Sequence, residues 1–202
     1  MTARAGSGRV SGMTEVARKI APERMPFAEF LAWEEAQPLR HERVGGAVFA
    51  MTGGTLDHNR VALNLALALR QRLAGTNCQA FAVDARVVTP RGDVMYPDVV
   101  IACGERRGTD KEIRDPVVVE VMSDRTKRWA YATIPSLEHY VLIAQDRAEA
   151  EVASRDGDVC RSVILRDLTA SLKLDALGLE VGLAEVFAGV ELPEAAQAAR
   201  GA

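Results

Sequence analysis

The chain has 202 residues, 48% of them apolar and 26% charged, with a formal net charge of −3. That length supports one domain with a substantial core, and the acidic balance argues against broad, sequence-independent nucleic-acid binding, which rests on Lys and Arg neutralising phosphates. The longest apolar run, residues 61–69, is too short to cross a bilayer, and residues 1–12 are polar and basic with no apolar middle, so neither a membrane span nor a secretory signal is expected.

Residues 1–22 read as a flexible leader, 23–192 as a single domain and 193–202 as a flexible tail. In 25–33 (MPFAEFLAW), Phe27, Phe30 and Leu31 fall at helical spacing, Pro26 suits the first turn and Pro38 ends the segment. Two short apolar stretches then flank Gly45-Gly46, which predicts a tight hairpin burying Val44, Val48 and Phe49. Residues 57–74 (DHNRVALNLALALRQRLA) alternate Val61, Leu63, Leu65, Leu67 and Leu69 as a strand would. The intervening residues are mostly Ala, however, and the run is long for a strand and rich in helix formers. A mostly buried helix is predicted, capped by Thr55 or Asp57 and stopped by Gly75.

Strands are predicted next at 79–90 and 96–103, with a turn at 91–93 between them, and at 116–122 (PVVVEVM), a Val run expected to be buried on both faces. A helical segment over 124–133, strands at 139–144, 149–154 and 159–165, and an amphipathic stretch at 182–187 complete the pattern. This order lacks a strict βαβ rhythm, so it predicts a mixed α/β fold in which a central mixed sheet is flanked by helices. Cys78, Cys103 and Cys160 are odd in number and widely scattered. They are expected to be structural, without a disulfide framework or zinc site, which suggests a reducing cytoplasm. His41 and His139 read as ordinary polar residues, and Trp129 and Tyr131 as core packing.

Two acids stand out. Asp98 heads the apolar strand VVIAC, and Glu120 interrupts the Val run, where an unpaired carboxylate is costly to bury. Glu120 therefore needs a basic partner, an outward-facing edge position or a shared cation. Two carboxylates at the ends of neighbouring strands make a hard oxygen site suited to Mg²⁺ or Mn²⁺, and a nearby lysine, Lys127, completes the minimum set for phosphoryl chemistry.

Taken in order, MPFAEFLAWEE, HERVGGAVFAMTGGTLDHNRVALNLALAL, FAVDARVV, MYPDVVIAC, DPVVVEVMSDRTK and IPSLEHYVLIAQD resemble the Uma-two family of endonucleases, within the PD-(D/E)xK nuclease superfamily. The resemblance implies a restriction-endonuclease-like fold and cleavage of phosphodiester bonds, of DNA in the first instance, by a catalytic set of Asp98, Glu120 and Lys127. Asp98, Glu120 and the main-chain carbonyl of Val121 would be its metal ligands. The superfamily's usual lysine position is Met122 here, and Asp124-Arg125-Thr126-Lys127 resembles the family's later DRxxK-like motif. This chain runs directly from Ser123 into that motif, where family members usually carry a longer segment.

Three further positions match family landmarks as supporting residues. Glu42 would join the metal site through water or form a surface salt bridge. His58 would contact phosphate or move a proton, or help cap its helix. Asp84 would support the site or pair with Arg86. The alternative to an active enzyme is a catalytically impaired module that binds nucleic acid or a protein. A homodimer is expected only by analogy with other nuclease folds.

Overall fold

In this computed structural model, which describes residues 24–51, 53–119 and 127–192, short alternating strands build two sheets stacked face to face. The expected leader and tail, along with Glu120 and Val121, lie outside the described residues.

Helix α1 (Phe27–Glu34) leads into the hairpin β1 (His41–Val44) and β2 (Ala47–Ala50), joined through Gly45-Gly46 as predicted. Of the three residues expected to be buried there, Val48 is buried, while Val44 and Phe49 are half-buried. Helix α2 (Leu56–Arg72) follows, and Thr55 caps it: its side-chain oxygen accepts from the His58 N–H at 3.1 Å. The ambiguous alternation resolves as a helix must resolve it. Val61, Leu65, Ala68 and Leu69 are buried at i, i+4, i+7 and i+8, whereas Leu63 and Leu67 turn to solvent.

The expected strand at 79–90 is instead two strands in different sheets. These are β3 (Cys78–Ala82) and β4 (Arg86–Val88), and between them Val83 and Asp84 both have φ of +58°. Those left-handed residues turn the chain from one sheet into the other. Short β5 (Val94–Met95), β6 (Val99–Cys103), β7 (Glu112–Ile113) and β8 (Pro116–Val119) come next, followed by the short helix α3 (Arg128–Tyr131). Then come β9 (His139–Ile143), β10 (Glu149–Asp156) and β11 (Val159–Arg166), close to their predicted positions. The pair β12 (Ser171–Leu174) and β13 (Leu179–Gly182) was not predicted, and helix α4 (Leu183–Val186) closes the fold.

The first sheet runs β2-β1-β5-β4-β7 and the second β11-β10-β9-β8-β6-β3. Each holds one parallel pair, β4 with β7 and β8 with β9, so both are mixed. The central mixed sheet is thus the second one. Helix α2 covers one of its faces, and the first sheet, not a helix layer, covers most of the other. Alternation along β6 shows the arrangement: Val99 and Ile101 pack with Val61, Leu65 and Leu69 of α2, while Val100 and Ala102 meet Val87 and Met95 across the inter-sheet core, with Tyr131 of α3. Phe30 of α1 packs on the outer face of the first sheet against Val48, Val88, Val94 and Tyr96. Burying side chains of this size contributes about 1.5–3 kcal/mol each.

Cys78 and Cys103 are opposite each other in the β3–β6 register and are disulfide-bonded, leaving Cys160 free and exposed. This corrects the expectation drawn from cysteine spacing: pairing across strands brings together residues that are 25 positions apart. With two of the three cysteines bonded, cysteine content no longer points to a reducing compartment. No helix among the described residues is long and apolar enough to cross a membrane.

His139 begins β9 at 2% exposure. Its Nδ1 lies 2.9 Å from Ser154 Oγ, and its Nε2 accepts the Ala176 N–H at 3.1 Å, a network that fits the neutral ring. Burial is the main cause holding its pKa below 6.5, against the opposing pull of Asp175 and Glu138. A depressed histidine pKa means that the unfolded chain binds the proton more readily, so this contribution to stability is present above the unfolded value and is lost as pH falls through the folded one. Thermal melts of the wild type are therefore expected to lose stability as pH drops below about 6.5, the unperturbed histidine value. His139→Gln should flatten that slope, and an unchanged slope would remove His139 as its source.

Candidate active site

Glu42 lies on β1 with its side chain toward α3, while its neighbour His41 faces α1. Successive strand residues point to opposite faces. Glu42 is 6% exposed. Its Oε2 sits 2.7 Å from Lys127 Nζ, and its Oε1 accepts the Tyr96 N–H at 3.1 Å. The surface salt bridge weighed for Glu42 is in fact a buried ion pair, and its partner is the expected site lysine. Lys127 immediately precedes α3, where it is 22% exposed in its side chain.

Asp98 comes two residues after Tyr96, at the entrance to β6. Its Oδ1 meets His58 Nε2 at 2.7 Å. Gln145 Nε2 approaches His58 Nδ1 at 3.4 Å. An amide donor at Nδ1 leaves Nε2 to carry the ring proton, so His58 donates to the Asp98 carboxylate. His58 is held from behind as well: a Cβ on Gly54 would lie 2.6 Å from its ring. The backbone N–H of His58 serves the α2 cap while its ring meets Asp98.

Asp98 Oδ2 has no hydrogen-bond partner among the described residues, and the side chain is 25% exposed. A carboxylate oxygen of that kind suits a hard divalent cation. Among the described residues no group of three or more His, Cys, Asp or Glu is arranged to hold a metal. The second expected ligand, Glu120, lies outside them. The described flanks of its segment both border the site, since β8 ends at Val119 beside Val100 of β6 and the chain resumes at Lys127 against Glu42.

The chain thus brings together two contacting pairs, His58 with Asp98 and Lys127 with Glu42, bridged by the 96–98 segment. Asp84 does not join them. It is exposed at a left-handed φ, pairs with Arg40 Nε at 3.6 Å instead of with Arg86, and lines a separate cleft. His41 and His139 are buried hydrogen-bonding residues, His41 Nδ1 lying 3.0 Å from Glu34 Oε2. Tyr131 is buried as expected, but Trp129 is 48% exposed. Gln145 carried no sequence signal: a single Gln after a strand has no motif. Nor did the Tyr96 N–H, because backbone donors are invisible until the fold aims them.

A model of the Uma2 family, described as "Putative restriction endonuclease", matches residues 27–185. The chain belongs to the Uma2 family. This Uma2 domain is 27% identical over 182 residues to the uncharacterized protein slr1290 of Synechocystis sp., covering 85% of this chain and 93% of that one. It is 29% identical over 143 residues to the uncharacterized protein sll1609 of the same organism, covering 65% and 81%. The crystal structure of a "putative nuclease belonging to DUF820" from Anabaena variabilis superposes with a TM-score of 0.68 at 14% identity, covering 84% of this chain and all of that one. At that identity the likeness establishes a shared, restriction-endonuclease-like fold for the Uma2 domain.

Proposed function

We propose that this chain is a Mg²⁺- or Mn²⁺-dependent endonuclease acting on DNA. The observation that carries the reading is the 2.7 Å contact between His58 and Asp98, next to the Glu42–Lys127 pair, in a member of a family described as "Putative restriction endonuclease". Asp98 would hold the cation, with Glu120 and the Val121 carbonyl as further ligands. The bound cation supplies Lewis acidity at a phosphoryl oxygen and lowers the pKa of its water. His58 fixes the rotamer of Asp98 through its Nε2–H. Lys127 offsets negative charge that builds on the phosphoryl oxygens, and Glu42 holds that ammonium group in place. Hydrolysis adds one water across a P–O bond and leaves a phosphate monoester and a free hydroxyl. Two such sites in a homodimer would address two strands, by analogy with other nuclease folds.

The direct test is incubation of purified protein with supercoiled plasmid. Nicked or linear product is expected with Mg²⁺ or Mn²⁺, suppressed by a chelator and restored by excess metal. Equal conversion in the presence of chelator rules the proposal out. The second reading, a non-catalytic binding module, is favoured by one observation: Lys127 is already engaged with a carboxylate. Plasmid retarded in a gel but left intact in every metal would support it.

A further inference from the structure

A wide cleft is lined by none of Glu42, His58, Asp98 and Lys127. It has a volume of about 820 Å³ and is bounded by the end of α1, the end of β3, the β3–β4 connection, Arg86 of β4 and the stretch from Arg106 to Ile113. Val87 of β4 faces the inter-sheet core, so its neighbour Arg86 faces this cleft. Arg86 is 9% exposed and its Nε has no hydrogen-bond partner. The carboxylate paired with it, Glu112, is 3.8 Å away and holds Arg114 Nε more closely, at 2.6 Å. Arg106 is similar: its Nη2 meets Asp115 at 2.6 Å, while its buried Nε is unpartnered. Arg107 lines the same cleft, and no carboxylate among the described residues reaches its guanidinium.

Glu112 aside, the acids of the cleft bond elsewhere than to these guanidinium groups. Glu34 accepts from His41 at 3.0 Å, Glu35 from Lys111 at 2.9 Å, and Asp110 from the Arg107 backbone N–H at 2.9 Å. Asp84 sits 3.6 Å from Arg40. Burying a guanidinium without a close counter-charge is costly, and the planar fork of arginine matches oxyanions through paired N–H donors. A volume of this size exceeds a bare phosphate and suits a nucleotide-sized ligand.

We infer that this cleft binds a phosphate-bearing ligand, with Arg86, Arg106 and Arg107 as its donors. The inference does not rest on the nuclease reading, since none of these three arginines belongs to that site. The phosphate comes from a small phosphorylated molecule or from a nucleic-acid chain.

The test is calorimetric titration of the full chain at constant ionic strength with inorganic phosphate, thymidine 5′-monophosphate and oligothymidylate. Saturable binding is expected for at least one probe. It should weaken at least about tenfold in Arg107→Ala and in Arg86→Lys, the loss of one charge-assisted contact, and stay unchanged in Asp98→Ala. Binding by the monophosphate alone identifies a small ligand, and tighter binding by the oligonucleotide identifies a strand. Arg107 is exposed, so Arg107→Ala decides the matter even if Arg86→Lys does not fold. No binding by any probe, or binding that Arg107→Ala leaves intact, overturns the inference. Loss of binding in Asp98→Ala would place the anion at the other site and overturn it too.

Discussion

Asp98→Ala is expected to cut metal-dependent plasmid cleavage about 10³-fold while leaving the melting temperature nearly unchanged. The size follows from losing several kcal/mol of charge stabilisation at a cation ligand. Asp98 is one-quarter exposed, so removing it creates no deep cavity. His58→Ala should act through Asp98 and cost less, about 10–100-fold in Mn²⁺ affinity, the usual range for a residue that orients a ligand. The two changes should be non-additive, since once Asp98 is gone His58 has nothing left to hold. Gly54→Ala should resemble His58→Ala, because the new Cβ would lie 2.6 Å from the ring. Full cleavage by Asp98→Ala would end the assignment of this site.

The second large effect is on folding. Lys127→Met leaves Glu42 buried without its counter-charge, and Glu42→Gln leaves Lys127 in the complementary position. Breaking one side of a buried pair costs about 3–5 kcal/mol, and the partial exposure of Lys127 reduces that to about 2–3 kcal/mol. For a chain of this length that corresponds to a drop of roughly 4–12 °C in melting temperature. The double variant Glu42→Gln/Lys127→Met removes both charges and should recover much of the loss without recovering cleavage. Additive destabilisation across the cycle, read from denaturant melts, would show that the contact contributes nothing.

Much of the fold was legible because its elements obey local rules. The 57–74 segment was settled by Ala content and length against a misleading alternation, and the Gly-Gly hairpin by turn chemistry. What escaped was set by tertiary pairing. Residues 79–90 look like one strand because nothing in VDA announces two consecutive left-handed residues, and non-glycine residues seldom adopt that conformation. The two-residue strands β5 and β7 owe their existence to neighbours in the sheet. The Cys78–Cys103 bond follows from register, which spacing does not encode.

The candidate site was legible as a set of residue types and only partly as contacts. Asp98, Lys127, Glu42 and His58 were each picked out, and the fold adds who touches whom. The buried trio of Glu34, His41 and Tyr96 on the other side of β1 left no trace, because a helix acid and a strand histidine seven residues apart look like ordinary solvated side chains until both prove buried. Asp84 takes a structural ion pair, with Arg40 and not the Arg86 weighed for it, because its left-handed backbone sets it in the connection between the two sheets.

The hairpin loop has a reach beyond its size. Val44 is opposite Ala47, so only two residues make the connection, and Gly45 and Gly46 take φ values of +60° and +86°, as a type I′ turn demands. That loop fixes the phase of β1. Shifting the strand by one position would send the lysine-holding acid toward Glu34 and bring an imidazole to Lys127, setting two carboxylates against each other on one side and two basic groups on the other. A pair of residues with no side chains thus sorts acid from base on the two faces of the first sheet.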